Sequence, residues 1–286
     1  MVVGFIGTGN MGSILIDAFL KSDALLPAQI IASNRTAAKA EQLAAKYPGL
    51  HPATDNKAVA KAGELLFLCV KPTDYADVLA EIKDVLLPEQ IIVSITSPVL
   101  IRHLEEQLPC KIAKVIPSIT NQQLSGATLC MYGTRINDLD IGMLESLLSH
   151  ISTPMRISES YTRVISDLSS CGPAFLAYFV EKFVEAAVER TGIPANDATK
   201  LAGEMVLGTG KLLTSGEFAP NSLRQRVTVP GGITAEALKI LAFSLDGVFE
   251  QVLAATHAKY AEDVNKIEKM LCGHARDKTS TAAEKH

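Results

Sequence analysis

The sequence predicts an α/β protein in which a doubly wound, mainly parallel sheet is followed by an all-helical domain. Short β-branched runs alternate with helical patterns through the first half, and the strand pattern ends near residue 158. The 286 residues are enough for roughly two domains. We therefore expect a sheet domain at 1–158, a helical domain at 159–272 and a flexible polar tail at 273–286.

The first domain has the periodicity of right-handed βαβ units, because helical patterns fill the gaps between its strands. The predicted strands are Val2–Ile6, Ile30–Ser33, Leu65–Val70, Ile91–Ile95 and Lys111–Ile116. The predicted helices between them cover 10–21, 36–47, 73–86 and 99–107. Two weaker strands, Thr128–Tyr132 and Met155–Ile157, flank a helix near 138–150 and extend the sheet.

The second domain reads as five helices, at 159–190, 194–214, 220–227, 233–245 and 247–270. The first of them carries apolar residues on more than one face, including Leu168, Phe175 and Phe183. A small helical domain has too little chain to bury both faces. We therefore expect a homodimer through this domain, and a compact five-helix bundle is the alternative.

Composition excludes several classes of function. The net charge of −4 argues against a nucleic-acid or anionic-membrane partner. The five cysteines are scattered without a C-x-x-C pair, which argues against a disulfide framework and a metal site. Met1 runs directly into a strand without a signal-peptide pattern, and the apolar run Leu65–Val70 is too short to cross a bilayer. We expect a soluble cytoplasmic protein.

A glycine-rich segment directly follows the first strand and opens a helix: Gly7-Thr8-Gly9-Asn10-Met11-Gly12. In that context the pattern predicts a Rossmann-type dinucleotide site. Gly7 makes the tight turn, Gly9 lets the backbone approach the pyrophosphate, and Gly12 lets the helix pack closely on the strand. The free amides at the start of the helix then face the phosphates. The alternative is a glycine-rich turn without a ligand.

The end of the second strand reads Ser33-Asn34-Arg35-Thr36, where an NAD-preferring site carries an acid. Arg35 offers a planar fork for a ribose 2′-phosphate, and Ser33 and Thr36 offer hydroxyl donors. We therefore predict NADP as the cofactor, with NADPH favoured over NADH. Otherwise Arg35 is a solvated surface residue.

Val70-Lys71-Pro72 follows the next long strand. Ligands of open α/β sheets lie beyond the carboxyl ends of the strands, so these residues should border the cofactor. Lys71 is equally compatible with a strand-end lysine in water. Cys69 is expected to be a buried small apolar residue and not a nucleophile.

Pro230-Gly231-Gly232-Ile233-Thr234 precedes a helical pattern in the second domain. A rigid turn that delivers a helix start with exposed amides can bind an anion. An ordinary interhelical turn capped by Thr234 explains the same residues. On the first long helix, Ser169-Ser170-Cys171-Gly172-Pro173-Ala174 places a proline that should kink it.

Taken together these motifs resemble the pyrroline-5-carboxylate reductase family nearly end to end. The resemblance is carried by Gly4–Gly12, Val70–Pro72, Cys171–Ala174, and Leu223-Arg224 followed by Val227-Thr228 and Pro230–Gly232. The last of these segments is the specific one, because many dehydrogenases share the glycine fingerprint. The resemblance implies a Rossmann NAD(P)-binding domain and a helical substrate and dimerisation domain, in a homodimer or a higher oligomer of dimers. It also implies reduction of the cyclic imine pyrroline-5-carboxylate to proline. The substrate carboxylate would sit at Gly231, Gly232, Ile233 and Thr234, with the Thr234 hydroxyl as the catalytic group toward the ring nitrogen.

The sequence departs from the usual family pattern at several positions. It has Thr96-Ser97-Pro98, Ser118-Ile119-Thr120-Asn121, Glu204-Met205 and Glu236 where the family has other residues. The set is similar to the branch of the family associated with the late-competence locus of bacilli. Glu236 lies in the first turn of the expected anion-binding helix, where it either competes with the substrate or faces solvent. These departures leave the natural substrate open.

Three functions compete. The first is an NADP-dependent imine reductase, and the second is a dinucleotide-binding paralogue with little turnover. The third is a β-hydroxyacid dehydrogenase, which needs a lysine followed by an asparagine one helical turn later. Lys182 is followed at that spacing by Ala186, which disfavours the third.

Overall fold

The computed structural model describes the backbone of residues 1–283 and the side chains of residues 1–271. This part of the chain forms an eight-stranded sheet in the order β3-β2-β1-β4-β5-β6-β7-β8. The strands are β1 Val3–Ile6, β2 Ile30–Ser33, β3 His51–Pro52, β4 Leu65–Leu68, β5 Ile91–Ser94, β6 Lys111–Ile116, β7 Ala127–Tyr132 and β8 Thr153–Arg156. With helices on both faces this sheet confirms the predicted fold class.

All strand pairs are parallel except β6 and β7, where Ala113 pairs with Tyr132 in an antiparallel ladder. The connection between those two strands carries only a short 3-10 helix, Ile119–Gln123, so the chain turns back without a crossover helix. The chain builds the sheet outward from β1 in both directions, first to β2 and β3 on one side and then to β4 and the later strands on the other. Ligands of doubly wound sheets bind at the switch point where this direction changes.

Six helices surround the sheet: α1 Asn10–Lys21, α2 Ala37–Lys46, α3 Asn56–Ala62, α4 Tyr75–Ile82, α5 Ile101–Glu105 and α6 Asp138–Ser149. The sequence analysis missed β3 and α3. The central strands β1, β4 and β5 are buried on both faces, as parallel sheets require, whereas the edge strands β3 and β8 are mostly exposed. Phe5 and Phe67 stack 5.0 Å apart on one face beside Phe19, and Tyr75 and Ile92 belong to the apolar cluster on the other.

The predicted helix 159–190 is divided into four segments. A 3-10 turn at Glu159–Tyr161 leads into α7, Thr162–Ser166, and then into a π-helical turn at Asp167–Cys171. Pro173 explains the interruption, because a proline has no N–H to donate to the carbonyl of Ser169 four residues earlier. Ser118 Oγ donates to that carbonyl at 3.2 Å instead. The helix then continues as α8, Gly172–Thr191.

The remaining helices are α9 Ala195–Thr214, α10 Pro220–Val227, α11 Ile233–Ser244 and α12 Val248–Ala283. In the single chain, no residue of α8 is buried, and Ala198 is the one buried residue in α8 to α11. The compact bundle considered from the sequence is therefore wrong for one copy of the chain. Large apolar side chains instead lie exposed on these helices, among them Phe175, Phe179, Phe183, Leu201 and Phe243.

The chain divides by packing into a sheet unit, Met1–Cys171 with residues from Thr256 onward, and a helical unit, Gly172–Ala255. This division differs from the expected boundary at 158. Residues of α7, and of α12 from Thr256 onward, belong to the sheet unit. This part of α12 packs there because Ile267 and Leu271 are buried in the apolar core of the sheet unit. Of the expected tail 273–286, the backbone to Ala283 continues α12, whereas the side chains and residues 284–286 lie outside the described residues.

Candidate active site

A groove of about 450 Å³ opens at the carboxyl ends of β1, β2 and β4 in the sheet unit. Seven of the predicted cofactor residues line it: Gly7, Gly9, Ser33, Asn34, Arg35, Val70 and Lys71. Thr8 and Asn10 line an adjoining cavity of about 390 Å³, and Gly9 and Lys39 line both. Met11, Gly12 and Pro72 line neither cavity.

The three glycines of the loop have different surroundings. Gly7 has a φ of +98°, and a Cβ there would lie 2.6 Å from the carbonyl oxygen of Cys69. A Cβ on Gly12 would overlap the carbonyl oxygen of Gly7. A Cβ on Gly9 would meet nothing within 4 Å, so the space beside this backbone is open. This combination of a tight turn, close helix packing and open space fits a bound dinucleotide pyrophosphate.

The start of α1 carries no acidic residue in its first turn, and Gly9 is its cap residue without a side chain. The loop is held in place from two sides. Ser13 Oγ donates to the carbonyl of Thr8 at 3.0 Å, and Asn34 Nδ2 donates to Thr8 Oγ1 at 2.7 Å. The positive end of the helix dipole therefore faces the groove without a competing carboxylate of its own.

The residues at the end of β2 that were predicted to bind the 2′-phosphate differ in their exposure and in their existing partners. Ser33 is buried and donates its hydroxyl to Asn56 Oδ1 at 2.7 Å, while Asn56 Nδ2 donates to Glu81 at 2.7 Å. Arg35 is 84% exposed, and its Nη1 lies 3.6 Å from Asp74 Oδ1. Asn56 and Asp74 also line the groove, and the sequence analysis missed both.

Val70 and Lys71 lie where the predicted strand-end segment was expected, and Pro72 opens a 3-10 helix, Pro72–Asp74. Thr96 Oγ1 donates to the carbonyl of Val70 at 3.2 Å, which ties the loop after β5 to this wall. Burial raises the pKa of the Cys69 thiol. A thiol held in its protonated form is a poor nucleophile, in line with the expected apolar role.

In the helical unit, Gly231 has a φ of +73° and Gly232 is the cap residue of α11. The helix start is open, because Ile233 and Thr234 are exposed. The interhelical-turn alternative required Thr234 to cap this helix, but the cap residue is Gly232. Glu236 is 62% exposed, and its Oε1 accepts from Lys239 Nζ at 2.7 Å. This geometry favours the solvent-facing interpretation of Glu236.

A polar network that the sequence analysis missed lies at the carboxyl ends of β5 and β6. The buried Asp167 carboxylate accepts from Arg163 Nη2 at 2.8 Å and from Thr256 Oγ1 at 2.8 Å. Arg163 Nη2 also lies 3.0 Å from Cys171 Sγ, and Tyr260 donates its hydroxyl to the carbonyl of Ser97 at 3.3 Å. Residues far apart in the chain therefore support the loop after β5.

Beneath this network a fully buried lysine forms an ion pair. Lys114 Nζ lies 3.0 Å from Glu159 Oε1, and the amide of Ile101 donates to the same oxygen at 3.0 Å. Burial lowers the pKa of Lys114 below its ordinary value, while the Glu159 carboxylate opposes that shift. The pair fixes the segment before α7 to the sheet.

Across residues 1–283, no helix combines the length and apolar composition that crossing a bilayer requires.

Two family models match the chain. Residues 159–263 match the model described as pyrroline-5-carboxylate reductase dimerisation, and residues 2–98 match NADP oxidoreductase coenzyme F420-dependent. Among curated relatives, ComE operon protein 4 of Bacillus subtilis is 40% identical over 94% of this chain and 98% of its own. Pyrroline-5-carboxylate reductase 3 of Danio rerio is 31% identical over 84% of this chain and 83% of its own.

Solved structures agree on the fold. The Coxiella burnetii pyrroline-5-carboxylate reductase is 27% identical with a TM-score of 0.79, covering 94% of this chain and 97% of its own. The Plasmodium falciparum pyrroline carboxylate reductase with NADP bound has the same TM-score at 22% identity, covering 94% and 98%. The predicted family resemblance and the predicted NADP cofactor are confirmed by these comparisons.

Proposed function

The chain belongs to the pyrroline-5-carboxylate reductase family of NADP-dependent oxidoreductases, and we propose that it reduces the C=N bond of a cyclic imine with NADPH. Pyrroline-5-carboxylate is the favoured substrate and proline the product. The observation that carries the proposal is the pairing of two features in one chain. One is a dinucleotide groove at the switch point of the sheet, and the other is an uncapped helix start at Gly231–Thr234.

NADPH supplies the hydride when it is bound. The chain's own contribution is binding and orientation. The amides at the start of α1 hold the pyrophosphate, and Arg35 and Lys39 supply positive charge at the mouth of the groove. Val70, Lys71 and the loop carrying Thr96 form the wall toward β5. Holding two reactants in contact lowers the barrier by about 7 kcal/mol or more in well-oriented cases.

The substrate carboxylate is proposed to bind the amides of Ile233 and Thr234 in the first turn of α11, beside the turn that Gly231 and Gly232 form. The amide of Gly232, which the sequence placed among the carboxylate-binding groups, already donates to the carbonyl of Val229 at 2.9 Å. Thr234 would then hold the ring nitrogen through its hydroxyl. A protonated imine is already electrophilic, so the reaction needs no buried histidine or lysine as acid. The Glu236–Lys239 pair reduces the negative field that Glu236 alone would place at this helix start.

The functional assembly is proposed to be a homodimer formed through the helical unit. The exposed apolar residues of α8, α9 and α11 leave this unit without a buried core in one copy. A second copy presents the same surface and can cover it by twofold symmetry. Sedimentation of the full-length protein as a dimer at micromolar concentration supports this assembly, and a monomer at that concentration contradicts it.

The experiment that tests the reaction follows NADPH consumption by the purified protein with pyrroline-5-carboxylate. Thr234→Ala should lower kcat about tenfold or more, because a positioned hydrogen bond to the reacting group is lost, whereas Thr234→Ser should retain most of the rate. Thr214→Ala is the matched control, because the Thr214 hydroxyl bonds only to carbonyls of its own helix. Equal kcat and KM in all variants would remove Thr234 from the reaction.

The second candidate is a dinucleotide-binding paralogue with little turnover and a link to competence. The observation that favours it is the higher identity to ComE operon protein 4, 40%, than to the named reductase of Danio rerio, 31%. The altered loop Ser118–Asn121 supports it as well. Tight NADPH binding without any consumption on pyrroline-5-carboxylate would select this candidate.

A further inference from the structure

An ion pair connects the two rims of the dinucleotide groove. Arg35 belongs to the loop between β2 and α2, and Asp74 belongs to the 3-10 helix that follows β4. The Arg35 Nη1 and the Asp74 Oδ1 lie 3.6 Å apart, and both residues line the groove. The guanidinium that the sequence assigns to the 2′-phosphate therefore already has a carboxylate partner.

Three other carboxylates line the groove: Asp77 lies in the first turn of α4, whereas Asp55 and Glu81 accept hydrogen bonds from other residues. Asp55 Oδ1 caps α3 by accepting from the amide of Ala58 at 2.8 Å, and Glu81 accepts from Asn56. Asp74 precedes α4 directly, yet its side chain makes no capping hydrogen bond there. Its carboxylate is thus committed to Arg35.

This pair is exposed to water, with Arg35 at 84% and Asp74 at 33% side-chain exposure. An exposed ion pair is weak, whereas a phosphate offers a guanidinium two parallel, charge-assisted hydrogen bonds. Lys39 lines both the groove and the adjoining cavity, so a second cation stands close to the same loop. A phosphate can therefore displace Asp74 from Arg35, but it must do so against the competing carboxylate.

We propose that Asp74 is a specificity-determining residue of the dinucleotide groove, because it competes with the ribose 2′-phosphate of NADP for Arg35. A dinucleotide without that phosphate leaves the Arg35–Asp74 pair intact. Asp74 therefore lowers the affinity for NADP while leaving the affinity for NAD unchanged. The inference rests on dinucleotide binding in this groove and is independent of whether the protein reduces an imine.

The test measures calorimetric binding of 2′,5′-ADP and of 5′-AMP, which differ by the phosphate alone and require no turnover. Arg35→Ala should weaken 2′,5′-ADP about tenfold and leave 5′-AMP unchanged. Asp74→Asn should strengthen 2′,5′-ADP about threefold, the scale of an exposed ion pair, and leave 5′-AMP unchanged. Asp84→Asn is the matched control, because this substitution removes the same charge from a residue that lines neither cavity.

A double-mutant cycle separates competition from plain repulsion. In the Arg35→Ala background, Asp74→Asn should no longer strengthen 2′,5′-ADP, because the contested guanidinium is gone. If the gain persists there, Asp74 repels the phosphate directly and the proposal is overturned. A loss of 2′,5′-ADP affinity in Asp74→Asn alone overturns it too, because Asp74 then orients Arg35 for the phosphate. An equal gain for 5′-AMP overturns the selectivity.

Discussion

The sheet unit and the helical unit bury their apolar residues in different ways. Strands β1, β4 and β5 are fully buried, and two apolar clusters cover the two faces of their sheet. In the helical unit Ala198 is the one buried residue of α8 to α11. The first unit can therefore fold around its own core, whereas the second needs a further surface to cover its apolar side chains.

This difference assigns different roles to the two units. The groove is rigid because the glycine loop, β2 and β4 are fixed by a packed sheet. The helix start at Gly231–Thr234 lies on elements that depend on assembly. We therefore expect substitutions in the sheet unit to change stability and dinucleotide affinity, and substitutions in the helical unit to change association and substrate binding.

The largest effect is expected from a charge on the exposed apolar face of α8. Phe179 is exposed, and its ring lies 6.3 Å from that of Phe183. Phe179→Asp should convert the dimer to a monomer, because a buried unpaired carboxylate costs several kcal/mol at an interface, and sedimentation velocity measures it. The control is Leu139→Asp, since Leu139 is also an exposed apolar residue but lies on α6 of the sheet unit. A dimer that survives Phe179→Asp places the interface elsewhere.

The buried ion pair of the sheet unit should come next. Glu159→Gln leaves the Lys114 ammonium buried without its carboxylate and should lower the free energy of unfolding by about 3 kcal/mol. Chemical denaturation measures it. Arg102→Gln, which breaks the exposed pair with Glu268, is the control and should cost less than about 1 kcal/mol. If both variants lost the same unfolding free energy, burial would not make the Lys114–Glu159 pair more important for stability than an exposed pair.

The same lysine predicts a pH dependence. Burial lowers the pKa of Lys114 in the folded state, so the unfolded state binds more protons just below pH 10.5. Stability from this group therefore rises with pH through the window between the lowered pKa and 10.5. Lys114→Met removes the contribution. The unfolding free energy of wild type minus that of Lys114→Met should therefore become more positive toward alkaline pH. A difference that stays constant with pH would contradict the assignment.

Substitutions at Gly9 and Gly12 should affect different properties, dinucleotide binding and stability respectively. Gly12→Ala should lower the unfolding free energy by about 2 kcal/mol, because its Cβ overlaps the carbonyl oxygen of Gly7. Gly9→Ala should leave stability unchanged, since its Cβ enters open space, and should weaken NADPH binding instead. Thermal unfolding and fluorescence titration with NADPH separate the two effects. A stability loss in Gly9→Ala would show that this space is already filled.

The smallest effect is expected at Glu236. Its carboxylate is exposed and paired with Lys239, so Glu236→Gln should change proline binding by less than about threefold. Calorimetric titration with proline measures it, with Glu250→Gln on α12 as the control. A gain of tenfold or more would show that Glu236 competes with a carboxylate at the helix start.

The sheet was predictable because its strands are near-continuous apolar runs separated by helical patterns. The two-residue strand β3 has no such pattern, so the site residue Asn56 that follows it was missed. Arg35 and Asp74 are 39 positions apart, and their contact depends on the neighbouring positions of β2, β1 and β4. Lys114 reads from sequence as a polar break in a strand, because its partner Glu159 comes 45 residues later.

The central claim is that this chain delivers a hydride from its dinucleotide groove to a cyclic imine. The most direct test incubates the purified protein with pyrroline-5-carboxylate and NADPH deuterated at the transferable position of the nicotinamide. Mass spectrometry should then find proline one mass unit heavier with the wild-type protein and far less with Thr234→Ala. Proline that carries no deuterium, or no proline while the same sample binds NADPH tightly, would contradict the claim.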